Sequence, residues 1–264
     1  LNYASTLVGV RINWREPVQL LRAGVYWPSF FSPDLAQIKQ HWTENCPIVA
    51  IVFYRALVQT SDLDPIDALI KSLQEKQINP LPIFVGSLKD PISAEITKTL
   101  IKETRPDVVL NCTGFAISSP GESMSETPYI NANCPVFQVI FSGGTFEDWQ
   151  DGVRGLSPKD LAMNVALPEV DGRLITRSIS FKKSQRYNNV NEVAVIKHKS
   201  VPSRVNFVTE LAASWTRLRR TSIADRRIAI IVANYPNKDG RVGNGVGLDT
   251  PAGIVATLER MASE

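Results

Sequence analysis

Two kinds of apolar run alternate along this chain, and each predicts a different element. Pro47–Phe53, Leu81–Val85, Pro106–Leu110 and Pro135–Phe141 are short and almost continuously apolar. Such runs suit strands covered on both faces, as in a parallel sheet. Pro82 makes the second the least regular, because proline cannot donate to a ladder. Between the first two, Ile66, Leu69, Ile70 and Leu73 recur at helical spacing. Asp64 is placed to cap that helix, Pro65 to open it and Asp67 to favour its first turn. Ala94–Lys102 predicts a second helix. Strands alternating with helices imply right-handed βαβ crossovers and an α/β fold, a doubly wound (Rossmann/flavodoxin-like), mostly parallel sheet.

The pattern changes after residue 172. Arg173–Phe181 alternates with period two, predicting a half-exposed strand, and a polar segment follows over 182–191. Val205, Val208, Leu211, Ala212, Trp215 and Leu218 form a helical stripe ending in Arg217, Arg219 and Arg220, where cations suit the helix dipole. This helix is expected to link two domains. Arg227–Ala233 predicts a buried strand, a glycine-rich loop follows over 240–247, and a last helix begins at Thr250. The expected organisation is an N-terminal segment over 1–44, a sheet domain over 45–172, a basic strand-loop and linker helix over 173–226, and from 227 the first βα unit of a second α/β domain. The chain opens on Leu1 and stops just after a helix, so it reads as a segment of a larger protein without a complete catalytic site of its own.

Composition narrows the class. Apolar residues make up 44% and charged residues 21%, enough to bury a sizeable core. No apolar run approaches the roughly 20 residues of a membrane span, and Leu1–Thr6 lacks a secretion signal, so a cytoplasmic location is expected. Cys46, Cys112 and Cys134 show no Cys-x-x-Cys spacing and read as apolar thiols. Net charge is +3 but unevenly spread: residues 173–227 hold thirteen Lys/Arg against three acids, +10, leaving −7 elsewhere. That asymmetry suits an anionic ligand or partner, and equally a solvated surface. No recognition helix or aromatic RNA motif accompanies it, so nucleic acid is not the expected partner.

Ligands of open α/β sheets bind beyond the carboxyl ends of the strands. There stand Tyr54 and Arg55, then Ser87, Lys89 and Asp90, then a long loop over 113–133, then Ser142, Gly143 and Gly144. The glycine loop lets backbone N–H groups approach an anion, yet it matches neither the dinucleotide Gly-x-Gly-x-x-Gly nor a P-loop; anion binding and a structural turn both remain open. Glu169 and Asp171 could serve acid–base chemistry, or simply end a helix. His41, beside Trp42, reads as structural. His41 and His198 form no metal-ligand pattern, and no metal site is expected.

The run Ala233–Ala252, ANYPNKDGRVGNGVGLDTPA, closely resembles the CobN family, large subunits of aerobic cobaltochelatase related to the magnesium-chelatase H subunit. Phe53–Ala56, Leu81–Phe84, Ser87–Asp90, Asn111–Ala116 and Val165–Gly172 agree in order, so the resemblance runs from about Gly24 to Met261. It implies a subunit of a ligase forming nitrogen–metal bonds. That enzyme places Co²⁺ into a corrinoid ring, hydrogenobyrinic acid a,c-diamide, while AAA+ partner subunits hydrolyse ATP beside integrin-domain-type subunits. The alternatives are a magnesium-chelatase H-like protein binding protoporphyrin, and a scaffold or partner-docking module without ring contact. No catalytic residue is carried over, and the isolated segment is expected to be inactive. From loop position, Arg55, Lys89 and Arg241 are candidates for ring carboxylates, Tyr54 and Phe115 for stacking on the ring, and Asn244 for a further contact.

Overall fold

A computed structural model describes residues 2–14, 16, 19–30, 32–118, 127–129, 132–188, 193–234, 243–245 and 247–263. They divide into two compact units, 1–220 and 221–264.

In chain order the first unit contains α1 (Asn2–Leu7), β1 (Ala23–Val25), α2 (Leu35–Lys39), β2 (Ile48–Tyr54), α3 (Arg55–Gln59), α4 (Asp64–Glu75), β3 (Asn79–Val85), α5 (Pro91–Thr104) and β4 (Val108–Asn111). Then come β5 (Val136–Thr145), α6 (Phe146–Asp151), α7 (Pro158–Leu161), a π-helical turn (Ala162–Ala166), α8 (Leu167–Val170), β6 (Leu174–Asn188), β7 (Val193–Ser200) and α9 (Pro202–Arg220). The seven strands form one sheet in the order β1-β3-β2-β4-β5-β6-β7. The five central strands are parallel, while β1 and β7 close the edges antiparallel.

The apolar runs explain the centre. Every residue of β3 and β4 is buried, as is Val49–Phe53 of β2, and successive side chains point to opposite faces. Both faces are therefore covered. α4 buries Ile66, Leu69, Ile70 and Leu73, the stripe its spacing predicts. The prolines of β3 do not interrupt the centre of the sheet. The Pro80 carbonyl accepts Trp42 Nε1 (2.9 Å) and the Pro82 carbonyl accepts the Tyr26 N–H (2.9 Å), so both prolines turn their missing donor toward the short β1 side.

Several elements differ from the expected ones. Leu63, not Asp64, is the N-cap of α4. The Asp64 carboxylate instead accepts from Ser200 N (2.7 Å), Ser200 Oγ (2.6 Å) and Lys199, tying α4 to β7. Segment 1–44 supplies β1 to the sheet. The polar stretch after Phe181 continues as strand to Asn188, because β7 pairs with it. The helix expected as a link packs into the first unit, burying Val205, Val208 and Ala212 and bonding Thr209 Oγ1 to Ser72 Oγ of α4 (2.7 Å).

In the second unit, residues 227–233 run without strand pairing and largely exposed. An apolar run becomes a strand only beside another strand, and none is present among the described residues of this unit. Asp249 caps the final helix, α10 (Thr250–Ser263), through Ala252 N (3.0 Å). Gly243 adopts φ 72°, and a Cβ there would meet Val232 Cγ1 at 3.0 Å, so this glycine is required by the turn.

Thr145 caps α6 by accepting Asp148 N (3.1 Å), and that helix sets Phe146 and Trp149 against Phe181. Thr145→Ala is expected to cost about 1 kcal/mol, read as a lower urea midpoint with an unchanged slope.

Candidate functional site

β2 leads to β3 on one side of itself, and β4 lies on its other side. The carboxyl ends of β2 and β4 thus flank the point where the strand order reverses, the place where open α/β sheets bind ligands. Two cavities open there. The smaller, about 250 Å³, is lined by Tyr54 from β2, Ser87–Lys89 after β3, Thr113–Ile117 after β4, and Arg173. The larger, about 430 Å³, shares Tyr54 and Gly114 and adds Cys112, Phe141, Lys159, Asp160, Met163, Asn164, Lys182 and His198, among others.

Under the smaller cavity lies a buried polar network. The Thr113 carbonyl accepts from Asn111 Nδ2 (2.9 Å), Gln138 Nε2 (2.9 Å) and Arg173 Nη1 (3.3 Å). Asn111 Oδ1 accepts from Thr113 Oγ1 and Tyr129 OH (both 2.9 Å). Gln138 Oε1 accepts from Asn111 Nδ2 (2.8 Å) and Arg173 Nη1 (3.1 Å). Asp171 pairs with Arg173 Nη2 at 2.7 Å and accepts the N–H groups of Ile117 (2.8 Å) and Ser118 (2.9 Å). This carboxylate therefore shapes the loop after β4, a role beyond the two its sequence position offered. The same loop holds Phe115 at φ 63°, an uncommon conformation for a bulky residue, with its N–H on the Met163 carbonyl (2.7 Å). Gly114 permits that approach, since a Cβ there would lie 3.0 Å from Asn164 Oδ1 and 3.1 Å from the Met163 carbonyl. Met163 and Asn164 belong to the π-helical turn, an element often found at functional sites.

One wall of the larger cavity carries a titratable cluster. His198 Nδ1 lies 2.9 Å from Asp62 Oδ2 and 3.0 Å from Lys182 Nζ, and Lys182 Nζ lies 3.2 Å from the same oxygen. Asp62 also accepts the His198 N–H (2.8 Å). Burial, then the Lys182 ammonium, hold the imidazole below its usual range against the pull of Asp62. His198 is thus neutral near pH 7; Nδ1 either donates to Asp62, which leaves Nε2 as an acceptor, or accepts from Lys182, which leaves Nε2 as a donor. Burial pushes Asp62 upward, but the bonds from His198 and Lys182 together bring it below the usual carboxylate range. Asp160 accepts from Ser142 Oγ (2.8 Å) and Gly143 N (3.1 Å). Burial raises the Cys112 thiol well above its ordinary value, so it stays protonated, and burial likewise raises the Tyr54 phenol.

The structure brings Tyr54, Lys89 and Phe115 together at the smaller cavity. Arg55 lines neither cavity. Its fork is used on backbone, Nε to the Leu21 carbonyl (2.7 Å) and Nη2 to the Leu20 carbonyl (2.8 Å). Asn244 is exposed in the second unit, and Arg241 lies outside the described residues. Asp90 caps α5 through Ser93 N (3.1 Å). His41 stacks on Trp27, centroids 4.7 Å apart. Sequence reasoning missed Arg173, read as the first residue of a half-exposed strand, and the Asp62–Lys182–His198 cluster. An arginine two positions after Asp171, with Gly172 between them, was the available sequence signal for Arg173; nothing in the sequence joins Asp62 to His198. No group of three or more metal-binding side chains occurs among the described residues, and no helix of theirs is long and apolar enough to cross a membrane.

The fold and the cavities define an open-sheet α/β protein with a cleft at the reversal of strand order. The family model of CobN/Magnesium Chelatase matches residues 1–264, and the chain belongs to that family. It is 45% identical to the aerobic cobaltochelatase subunit CobN of Sinorhizobium sp. over all of this chain and 21% of that protein. Identity to the Pseudomonas aeruginosa subunit of the same name is 38%, over 99% of this chain and 21% of that protein. The chloroplastic magnesium-chelatase subunit ChlH of Oryza sativa is 26% identical over all of this chain and 20% of its own length. Among solved structures, the catalytic subunit of cobaltochelatase from Mycobacterium tuberculosis superposes with a TM-score of 0.78 at 26% identity, covering 98% of this chain and 21% of that one. The chain thus spans about a fifth of the length of these relatives.

Proposed function

We propose that this chain forms one wall of the ring site in the large subunit of a cobaltochelatase, a cytoplasmic complex that inserts Co²⁺ into hydrogenobyrinic acid a,c-diamide. AAA+ partner subunits supply ATP hydrolysis, and integrin-domain-type subunits complete the assembly. The carrying observation is the gathering of Tyr54, Lys89 and Phe115 with Arg173 at the reversal of strand order. An aromatic ring held open to solvent beside cationic groups suits a flat macrocycle with acidic arms. The cavities are too small to enclose a whole macrocycle, so they grip an edge of it. Neutral His198, in the tautomer that donates to Asp62, offers a proton acceptor on the same wall for protons that a ring N–H gives up to an entering metal ion. The higher identity to cobaltochelatase subunits than to the magnesium branch favours the cobalt ring.

The test is a titration of the full-length subunit with hydrogenobyrinic acid a,c-diamide, followed by tryptophan fluorescence at low and high salt. Saturable binding, weaker at high salt and reduced about 3- to 10-fold in Phe115→Ala, is expected. A preference for protoporphyrin would assign the chain to the magnesium branch. Unchanged ring affinity in Phe115→Ala and Tyr54→Ala together would remove the ring from this cleft and leave a scaffold or docking role.

A further inference from the structure

The geometry points to the smaller cavity as a carboxylate-binding pocket, anchored by Arg173 and gated by Lys89, that takes one acidic arm of the ring rather than the ring itself. Arg173 is 4% exposed and lines the cavity, and its Nε–H, itself buried, has no hydrogen-bond partner among the described residues. A buried guanidinium N–H left unmade costs free energy that an acceptor recovers once the cavity wall moves to admit it. Its other nitrogens are committed to Asp171, Gln138 and the Thr113 carbonyl, so the group cannot turn away to satisfy Nε elsewhere. Asp171 lies behind it and does not line the cavity, and its charge is shared among Arg173 and two backbone N–H groups.

Among the described residues, the charged ones lining this cavity are Lys89 and Arg173, both positive. The neighbouring larger cavity carries Asp160 on its wall beside Lys159 and Lys182, so an anion entering it meets a carboxylate that the lining of the smaller one lacks. Of these two lining residues Lys89 is exposed, free to draw an anion in, and Arg173 is buried. A volume of about 250 Å³ admits a carboxylate on a short aliphatic arm. The reading of the cleft as a ring site supplies only the carrier of that arm; the pocket's preference for a carboxylate follows from its own groups.

Equilibrium dialysis of the full-length subunit against radiolabelled glutarate, with glutaramide as the neutral isostere, tests the pocket without the ring. Glutarate is expected to bind saturably and glutaramide at least about 10-fold more weakly, the scale of a charge-assisted hydrogen bond. Lys89→Ala is expected to weaken glutarate several-fold and Arg173→Lys to weaken it further. Lys159→Ala, on the wall of the larger cavity only, should leave it unchanged. Because Arg173→Lys disturbs a buried pair, Lys89→Ala carries the decision if that variant fails to fold. Equal binding of glutarate and glutaramide, no glutarate binding, or loss in Lys159→Ala with retention in Lys89→Ala would each overturn the assignment. A second measurement separates the two readings. A ring whose carboxyl groups are esterified should bind the subunit at least about 10-fold more weakly than the free acid. Equal affinity would sink the carboxylate pocket while leaving a ring site standing; glutarate binding with no ring binding would do the reverse.

Discussion

Asp171→Ala is expected to destabilise the chain by about 3–5 kcal/mol, the cost of leaving one member of a buried ion pair without the other. Both side chains are almost wholly buried, at 2% and 1% exposure, and the contact is 2.7 Å. The substitution also strips the acceptor from the Ile117 and Ser118 N–H groups, so the loop that carries Phe115 loses its anchor. Urea unfolding followed by circular dichroism measures the loss, and ring affinity should fall with it because Phe115 is no longer held at φ 63°. The double variant Asp171→Ala/Arg173→Met separates the causes. Removing both charges should recover part of the stability without restoring the loop or the ring affinity. A single-variant loss below about 1 kcal/mol, the range of exposed pairs, would show that water reaches this pair and that the loop is shaped by something else.

Asp62→Ala is expected to have the second-largest effect, again about 3 kcal/mol or more, since it leaves a buried backbone N–H and the Lys182 ammonium without their carboxylate. Its signature is pH dependence. The folded imidazole of His198 titrates below the ordinary value of about 6.5, so its neutral form contributes stability that is complete above that value and fades as the pH falls toward the folded value. Asp62 and Asp64, held below the usual carboxylate range when folded, contribute stability that is present above about 4 and lost in stronger acid. The wild-type chain should therefore lose stability in two limbs, one starting near pH 6.5 and one below about 4. Without Asp62, which pulls the imidazole upward, His198 shifts further down. The first limb should then deepen while the second shrinks to the share of Asp64. A first limb unchanged in Asp62→Ala would mean that His198 does not sense this carboxylate.

Most of the sheet was legible because its physics is local. The runs at 47–53, 106–110 and 135–141 are almost continuously apolar, as a strand buried on both faces requires, and they became β2, β4 and β5. The helical stripe Ile66–Leu73 points one way on any helix, and it became the buried face of α4. The cleft was legible to the same extent: the rule that ligands meet the carboxyl ends of parallel strands led to Tyr54, Lys89 and Phe115, each a few residues past an apolar run.

What the sequence left unread depends on partners far away in the chain. Asp64 has a cap's position and composition, but a carboxylate takes the strongest donors offered, and those come from Ser200 and Lys199, more than 130 residues later. Residues 182–188 are too polar to signal a strand, yet they form one because β7 supplies the ladder. Residues 227–233 carry the strand signal, and no strand among the described residues of their unit pairs with them. Arg55 has the chemistry of a carboxylate clamp, but the carbonyls of Leu20 and Leu21 reach it first. The sequence by itself determined the strands that must be buried, the helix face that must cover them and the edge where Tyr54, Lys89 and Phe115 line a cavity, since each follows from side chains within a few residues of an apolar run. Only the tertiary structure decided which charges are buried together: Arg173 with Asp171 beneath the loop after β4, and His198 with Asp62 across 136 residues of chain. Burial is what turns an ordinary charge into a demanding one, and burial is a property of the packed sheet.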